Sequence, residues 1–141
     1  MKESTIHLQV CHYLQRQYPK IIFRTDFAAG IKMTMAQAIK HRNLQSGRAY
    51  PDLFIAEPRA GAHGLFIELK KDGTKLTRTK DAKQINKGDY KIRKIGDWFD
   101  PHIEEQAEML ALLSAKGYVA MFGIGFDAAK DIIDKYLDDQ K

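Results

Sequence analysis

The sequence predicts an α/β fold in which helices pack on the faces of a mixed β-sheet. Three observations support this class. Helical and strand-like hydrophobic patterns alternate along the chain, two short strands near the middle flank a turn, and a nearly continuous apolar strand stands between two helical segments near the end. At 141 residues, with 44% hydrophobic and 29% charged residues, the chain has the size and composition of one globular domain spanning 1–141.

The first half of the chain contains two predicted helices and one strand. Apolar residues recur at helical spacing from Ser4 to Gln17, and Ser4 or Thr5 could cap this helix. Ile21–Phe23 is a short β-rich run, and Ala28–Gly30 after it predicts a turn. A weaker helical pattern covers Thr34–Leu44.

A β-hairpin is predicted next, from Leu53–Ala56 and Leu65–Leu69, because proline and glycine between them suit a reversal. A helix over Ile103–Lys116 follows, ended by Gly117 in a left-handed conformation. The apolar run Tyr118–Ile124 predicts a strand covered on both faces, and the last helix extends from the cap Asp127 to Leu137. The hairpin strands are therefore expected at the centre of the sheet.

The long segment at about 71–101 is polar and basic, and we interpret it as a functional insertion. Its density of lysine and arginine suits contacts with phosphates, as do the net charge of +5 and the pI near 9.3. A solvated loop without such a role is the alternative. The predicted DNA-binding residues are Lys71, Lys75, Arg78, Lys80, Lys83, Lys87, Lys91, Arg93 and Lys94.

Two acidic residues and a lysine are expected to converge on the hairpin. Glu68 interrupts an apolar strand, Lys70 projects from the same face two residues later, and Asp52 begins the neighbouring strand. Hard oxygen ligands for Mg²⁺ beside a cation suit phosphodiester hydrolysis. The alternative is a salt-bridged Glu68–Lys70 pair on an exposed face, since Asp/Glu-x-Lys alone is a weak motif.

The sequence also resembles the VRR-NUC family of the PD-(D/E)xK nuclease superfamily over most of its length. The resemblance is carried by GRAYPDLFI at positions 47–55, GLFIELKK at 64–71, Glu105-Gln106, and then Leu112, Gly117 and Tyr118. It implies a restriction-endonuclease-like core. Tyr50 replaces the usual glycine before Pro-Asp, and His7 stands where glutamine is common, so this chain departs from the family at two positions.

The resemblance further implies roles for individual residues. Asp52 and Glu68 would ligate Mg²⁺, or Mn²⁺ in its place, with the backbone carbonyl of Leu69 as a third ligand and Lys70 as the catalytic lysine. Gln106 matches the glutamine that orients water or substrate. Glu3 matches an acidic residue that can complete the metal shell; the alternative is a charge that stabilises the start of the helix.

Similar stand-alone proteins are typically homodimers of bacterial or phage origin that resolve branched DNA such as four-way (Holliday) junctions. The resemblance therefore implies a structure-selective endodeoxyribonuclease in the cytoplasm of a bacterial or phage-infected cell. A nuclease for flaps, nicks or linear duplex, and a DNA-binding module that does not cleave, are the alternatives. No membrane span is expected, since the most apolar stretch is too short.

Overall fold

The computed structural model describes residues 2–26 and 32–138. The order of elements agrees with the predicted order. The elements are α1 (Glu3–Gln17), β1 (Phe23–Thr25), α2 (Met35–Asn43), β2 (Leu53–Ile55), β3 (Leu65–Lys70), α3 (Pro101–Ala115), β4 (Val119–Ile124) and α4 (Gly125–Leu137). The turn predicted at Ala28–Gly30 lies outside the described residues.

The helix starts differ from the predicted caps at two of the four helices. Lys2 occupies the cap position of α1 without a side-chain hydrogen bond, and Ser4 and Thr5 lie inside the first turn, so neither is the predicted cap. Asp127 also lies inside its helix, because α4 begins directly at Gly125 after β4. Hydrophobic periodicity locates these helices but does not fix their first residues.

The other two helices begin with strong local signals. The Thr34 hydroxyl accepts a hydrogen bond from the Gln37 backbone, and the Gln37 side chain accepts one from the Thr34 backbone, which forms a capping box for α2. Asp100 caps α3 by accepting from the Ile103 backbone, and Pro101 is in the first turn. No helix in the described part of the chain is long and apolar enough to cross a bilayer.

The four strands form one mixed sheet in the order β1-β2-β3-β4, which confirms the predicted α/β class with central hairpin strands. β1, β2 and β3 are antiparallel neighbours, and β4 lies parallel to β3. All six residues of β3 are buried. β4 is less covered than predicted, since it lies at an edge of the sheet and Met121 is 38% exposed.

The two faces of the sheet carry different residues because side chains alternate along a strand. One face supplies the fully buried Leu53, Ile55, Leu65, Ile67 and Leu69 to a core shared with α1 and α4. The opposite face carries Phe54, Phe66, Glu68 and Lys70, and α3 packs there against β4. The apolar core therefore lies on one side of the sheet, and the predicted site residues lie on the other.

The basic insertion contains no helix or strand, but its two ends are joined by backbone hydrogen bonds. The Phe99 amide donates to the Leu76 carbonyl at 2.8 Å, and the Gly96 amide donates to the Arg78 carbonyl at 2.9 Å. The insertion therefore closes on itself before α3 begins.

Candidate active site

The register of the hairpin places the two predicted acidic residues opposite each other. Leu53 pairs with Ile67 across β2 and β3, so extending this register by one residue sets Asp52 opposite Glu68. Directly opposite residues in an antiparallel pair project from the same face of the sheet. Lys70 lies two residues beyond Glu68 and shares that face. The three side chains thus meet at one end of the sheet.

Asp52 is held in place by the neighbouring strand. Its Oδ2 accepts a hydrogen bond from the Leu69 backbone N–H at 2.9 Å, and His7 Nε2 of α1 approaches the same oxygen at 3.6 Å. The Asp52 side chain keeps 15% of its surface exposed. The carboxylate is therefore oriented by the backbone of β3 while it remains accessible.

Pro51 leaves the Leu69 carbonyl without its usual partner. The Asp26 amide donates to the Asp52 carbonyl at 2.9 Å, so the backbone groups of Asp52 face β1. Backbone N–H and C=O groups point in alternate directions along a strand, so the backbone groups of Pro51 face β3. The register, extended by two residues, sets Pro51 opposite Leu69. Proline has no N–H to donate. The Leu69 carbonyl thus receives no backbone hydrogen bond from Pro51.

Glu68 is a buried carboxyl with an unusually high affinity for a proton. Only 5% of the residue is exposed, and its Oε1 accepts a hydrogen bond from Gln106 Nε2 at 2.9 Å. Burial, followed by the nearby Asp52 carboxylate, raises the pKa of Glu68 to about 10; Lys70 opposes this rise and Glu3 adds to it. An additional cation between the carboxylates would stabilise the charged form.

Gln106 presents an unsatisfied oxygen at this site. The residue is 6% exposed, its Oε1 is buried without a hydrogen-bond partner, and its Nε2 lies 3.2 Å from His102 Nε2. Buried polar atoms almost always have a partner. An amide oxygen next to Glu68 can accept a hydrogen bond from a water molecule or a substrate group.

The donor set fits a hard divalent cation. The Asp52 and Glu68 carboxylates and the Leu69 carbonyl are oxygen donors of the kind that Mg²⁺ and Mn²⁺ prefer. No group of three or more His, Cys, Asp or Glu side chains within 2–26 and 32–138 is placed to hold a metal. Glu3 begins α1 and acts electrostatically on Glu68, but it does not join the two carboxylates in such a cluster.

Most of the predicted DNA-binding side chains are accessible to a ligand. Arg78 is half-buried because its guanidinium stacks on Phe99 at 4.0 Å and its Nε donates to the Phe99 carbonyl. Lys91 is also partly covered and lies 4.0 Å from Asp97. The exposed members of the predicted set are Lys71, Lys75, Lys80, Lys83, Lys87 and Lys94.

Arg93 differs from the other predicted DNA-binding residues because its side chain is buried. Its side chain is 0% exposed and makes ion pairs of 2.7 Å with both Asp89 and Glu104. These partners raise the pKa of Arg93 further above its usual value, and Arg93 lowers the pKa of Asp89 to about 2. Arg93 therefore fastens the basic insertion to the first turn of α3, and its guanidinium has no free side to offer to a phosphate.

Sequence reasoning noted His7 only as a departure from a family pattern, whereas the structure places it against Asp52. Its position one helical turn after Glu3 was the available signal. Asp26 lies 3.3 Å from His41 of α2.

Comparison with solved structures identifies the fold. A structure described as "VRR_NUC domain protein" superposes with a TM-score of 0.61 at 22% identity, covering 98% of this chain and 89% of that chain. This chain has the VRR-NUC fold. The restriction-endonuclease-like α/β core predicted from the sequence is thus confirmed. A scan against family models found no match, and neither did a search of curated proteins. At this identity the VRR-NUC likeness shows the fold, so the chemistry is argued from this chain's own residues.

Proposed function

We propose that this protein is a metal-dependent endonuclease that hydrolyses phosphodiester bonds in DNA. The observation that carries the proposal is the buried Glu68 set opposite Asp52, with Lys70 on the same face and the Leu69 carbonyl beside them. A buried carboxyl beside a second acid costs stability unless other groups compensate for it. A divalent cation bound next to a lysine would supply such compensation, and the VRR-NUC fold supports this choice.

Asp52, Glu68 and the Leu69 carbonyl would hold Mg²⁺ or Mn²⁺, with Glu3 close enough to act on the site electrostatically. When bound, the ion would polarise a phosphate oxygen and lower the pKa of a ligated water. The Leu69 N–H keeps Asp52 oriented, and Gln106 keeps Glu68 oriented. Both acids are therefore positioned before substrate arrives, so little reorganisation is needed.

Lys70 and Gln106 supply the polar groups around the scissile phosphate. The Lys70 ammonium, on the face of Glu68, would stabilise the negative charge that develops on the phosphorus oxygens. The unpartnered Oε1 of Gln106 would accept a hydrogen bond from the attacking water and fix its direction. His102 lies next to Gln106 and would help to set the orientation of that amide.

The substrate we propose is branched DNA such as a four-way junction, bound by a homodimer. The exposed lysines of the basic insertion would contact phosphates without reading base sequence, which suits recognition of DNA shape. Two symmetric cuts in a junction need two active sites, which a dimer supplies. Flaps, nicks and linear duplex are the alternative substrates.

Digestion of defined DNA tests the proposal. Wild-type protein, Asp52→Asn and Lys70→Ala are incubated with a four-way junction, a flap and a linear duplex, in Mg²⁺, Mn²⁺ or EDTA. We expect cleavage only with metal and a loss of at least about 100-fold in each variant. Lys116→Ala, an exposed lysine at the far end of α3, is the matched control and should cleave normally.

Persistent cleavage in EDTA, or in both active-site variants, would rule out the mechanism. Tight DNA binding without cleavage under any metal condition would instead favour the second candidate, a DNA-binding module on the same fold. The intact Asp52, Glu68 and Lys70 argue against that candidate, because a site released from catalysis has no reason to keep a buried acid.

A further inference from the structure

A cavity of about 620 Å³ lies next to the proposed catalytic centre, between α2 and the β1–β2 part of the sheet. Asp52 forms part of its wall, so the same carboxylate borders both the cavity and the metal site. Pockets that bind small ligands usually have volumes of roughly 300–1,000 Å³. The cavity is therefore large enough to take a nucleotide-sized group beside the scissile phosphate.

Two aromatic side chains on the wall are fixed against the sheet. Phe54 stacks on Phe66 with ring centroids 4.4 Å apart and an angle of 21°, and Tyr50 meets Phe66 edge-on at 5.6 Å. Tyr50 remains 44% exposed, whereas Phe66 is 4% exposed. The Tyr50 ring is thus a supported and accessible surface, which is what a stacking partner for a base requires.

The backbone before Tyr50 has an unusual conformation. Ala49 has a φ of +63°, a left-handed conformation that is uncommon for residues other than glycine. Strained residues of this kind concentrate at functional sites, where the surrounding structure maintains them. Here the strained residue directly precedes Tyr50, which lines the cavity together with Pro51 and Asp52.

The polar groups of the cavity match the remaining parts of a nucleotide. Arg24 and Lys40 contribute two exposed cations that suit a phosphate. The Gln37 Oε1 is held by the Thr34 N–H, and its Nε2 can donate to a base edge. Deeper on the same wall, Asp26 and His41 lie 3.3 Å apart. An aromatic surface, cations and an amide are thus combined within one cavity, and this combination suits a base with its phosphate better than a purely apolar ligand.

We propose that this cavity receives an unpaired base from the DNA strand being cut, at the nucleotide that flanks the scissile phosphate. The proposal rests on the proposed nuclease function and narrows its substrate. A base inside a duplex is stacked and paired, and removing it costs a few kcal/mol, whereas a base that is already unpaired avoids this cost. The enzyme therefore selects DNA with an unpaired nucleotide next to the cut, which a flap carries at its base and which a four-way junction offers when a base pair at its branch point opens.

The test compares three DNA duplexes that differ at one position beside the cut. The position holds a paired base, an unpaired base or an unpaired abasic sugar. Binding is measured in Ca²⁺, and cleavage is measured separately in Mg²⁺. Tyr50→Ala removes the ring, Tyr50→Phe keeps it, and Leu112→Ala, an exposed apolar residue on α3, is the matched control.

We expect wild-type protein and Tyr50→Phe to bind the unpaired base about tenfold more tightly than either other duplex, as stacking of one base on an aromatic ring can supply. Tyr50→Ala should lose that preference while binding the abasic duplex as before. Leu112→Ala should match the wild type. The proposal is overturned if Tyr50→Ala weakens binding to the unpaired and abasic duplexes equally, or if the wild type shows no preference.

The binding comparison separates this proposal from the proposed function. Absence of cleavage of all three duplexes and of the four-way junction in Mg²⁺ would count against the nuclease, while the preference for an unpaired base would still be measured in Ca²⁺. Normal cleavage with equal affinity for all three duplexes would leave the nuclease standing and refute the base cavity.

Discussion

Glu68→Gln should make the metal-free protein more stable and leave it inactive. The pKa of Glu68 is about 10 in the folded protein, against 4.5 for an ordinary glutamate, because the carboxyl is buried beside Asp52. At pH 7 the folded protein keeps this proton and the unfolded chain releases it, so folding must take up a proton. The two and a half pH units between 4.5 and 7 correspond to about 3 kcal/mol of lost stability.

The direction of the pH dependence follows from the raised pKa. Below pH 4.5 Glu68 is protonated in both the folded and the unfolded protein, so its ionisation does not lower the free energy of unfolding. Between pH 4.5 and about 10 only the unfolded state ionises, so the stability of the metal-free wild type falls as the pH rises. Glutamine is uncharged and keeps an oxygen that can accept from Gln106, so the variant lacks this fall.

Denaturant unfolding in EDTA at pH 5, 7 and 9 measures the effect. At pH 7 we expect the free energy of unfolding of the variant to exceed that of the wild type by up to about 3 kcal/mol, or roughly 10 °C in Tm. The difference should be smaller at pH 5 and larger at pH 9. Mg²⁺ should stabilise the wild type alone. Glu108→Gln, an exposed glutamate on α3, is the control and should follow the wild type. A variant no more stable than the wild type at pH 7, or a difference that does not change with pH, would refute the reasoning.

Two further predictions concern the basic insertion. Replacing Lys80, Lys83 and Lys87 by alanine should weaken DNA binding and reduce its dependence on salt. The slope of log binding constant against log salt concentration should fall by about 0.9 for each phosphate that the variant no longer neutralises. A variant with Lys116 and Lys135 replaced by alanine should keep the wild-type slope, and an unchanged slope in the triple variant would contradict the prediction. Arg93→Met should lower the Tm because Asp89 and Glu104 lose their cation. In the wild type, the lowered pKa of Asp89 contributes stability that is lost as the pH falls from 3.8 to about 2 and Asp89 is protonated. The variant should lack this contribution and its pH dependence. Lys94→Ala is its exposed control, and an equal Tm for both variants would count against the buried ion pairs.

The hairpin could be predicted from the sequence because its determinants are local. Alternation along a strand places Glu68 and Lys70 on one face wherever the strand lies, and a short connection between β2 and β3 brings Asp52 alongside. The order of the strands in the sheet and the position of α3 could not be predicted from such local patterns. Gln106 reaches Glu68 from 38 residues away, and only the family resemblance suggested it.

Features set by long-range packing escaped prediction. An arginine in a basic segment looks the same in sequence whether it is solvated or buried, and one partner of Arg93, Glu104, comes from the next helix. Asp89, four residues before Arg93, was the one local signal. The contact of His7 with Asp52 depends on how α1 crosses the end of the sheet, which hydrophobic periodicity does not specify.

The strongest argument for a cation site comes from two residues that are unfavourable for the sheet itself. Glu68 places a carboxyl in a strand whose six residues are all buried, and Pro51 deprives the Leu69 carbonyl of a strand hydrogen bond. Each choice alone would weaken the fold. Together with Asp52, however, they set two carboxyl groups and a backbone carbonyl at one end of the sheet. A buried carboxyl improves neither packing nor strand pairing, so Glu68 is better explained by the ion proposed to lie between it and Asp52 than by the stability of the fold.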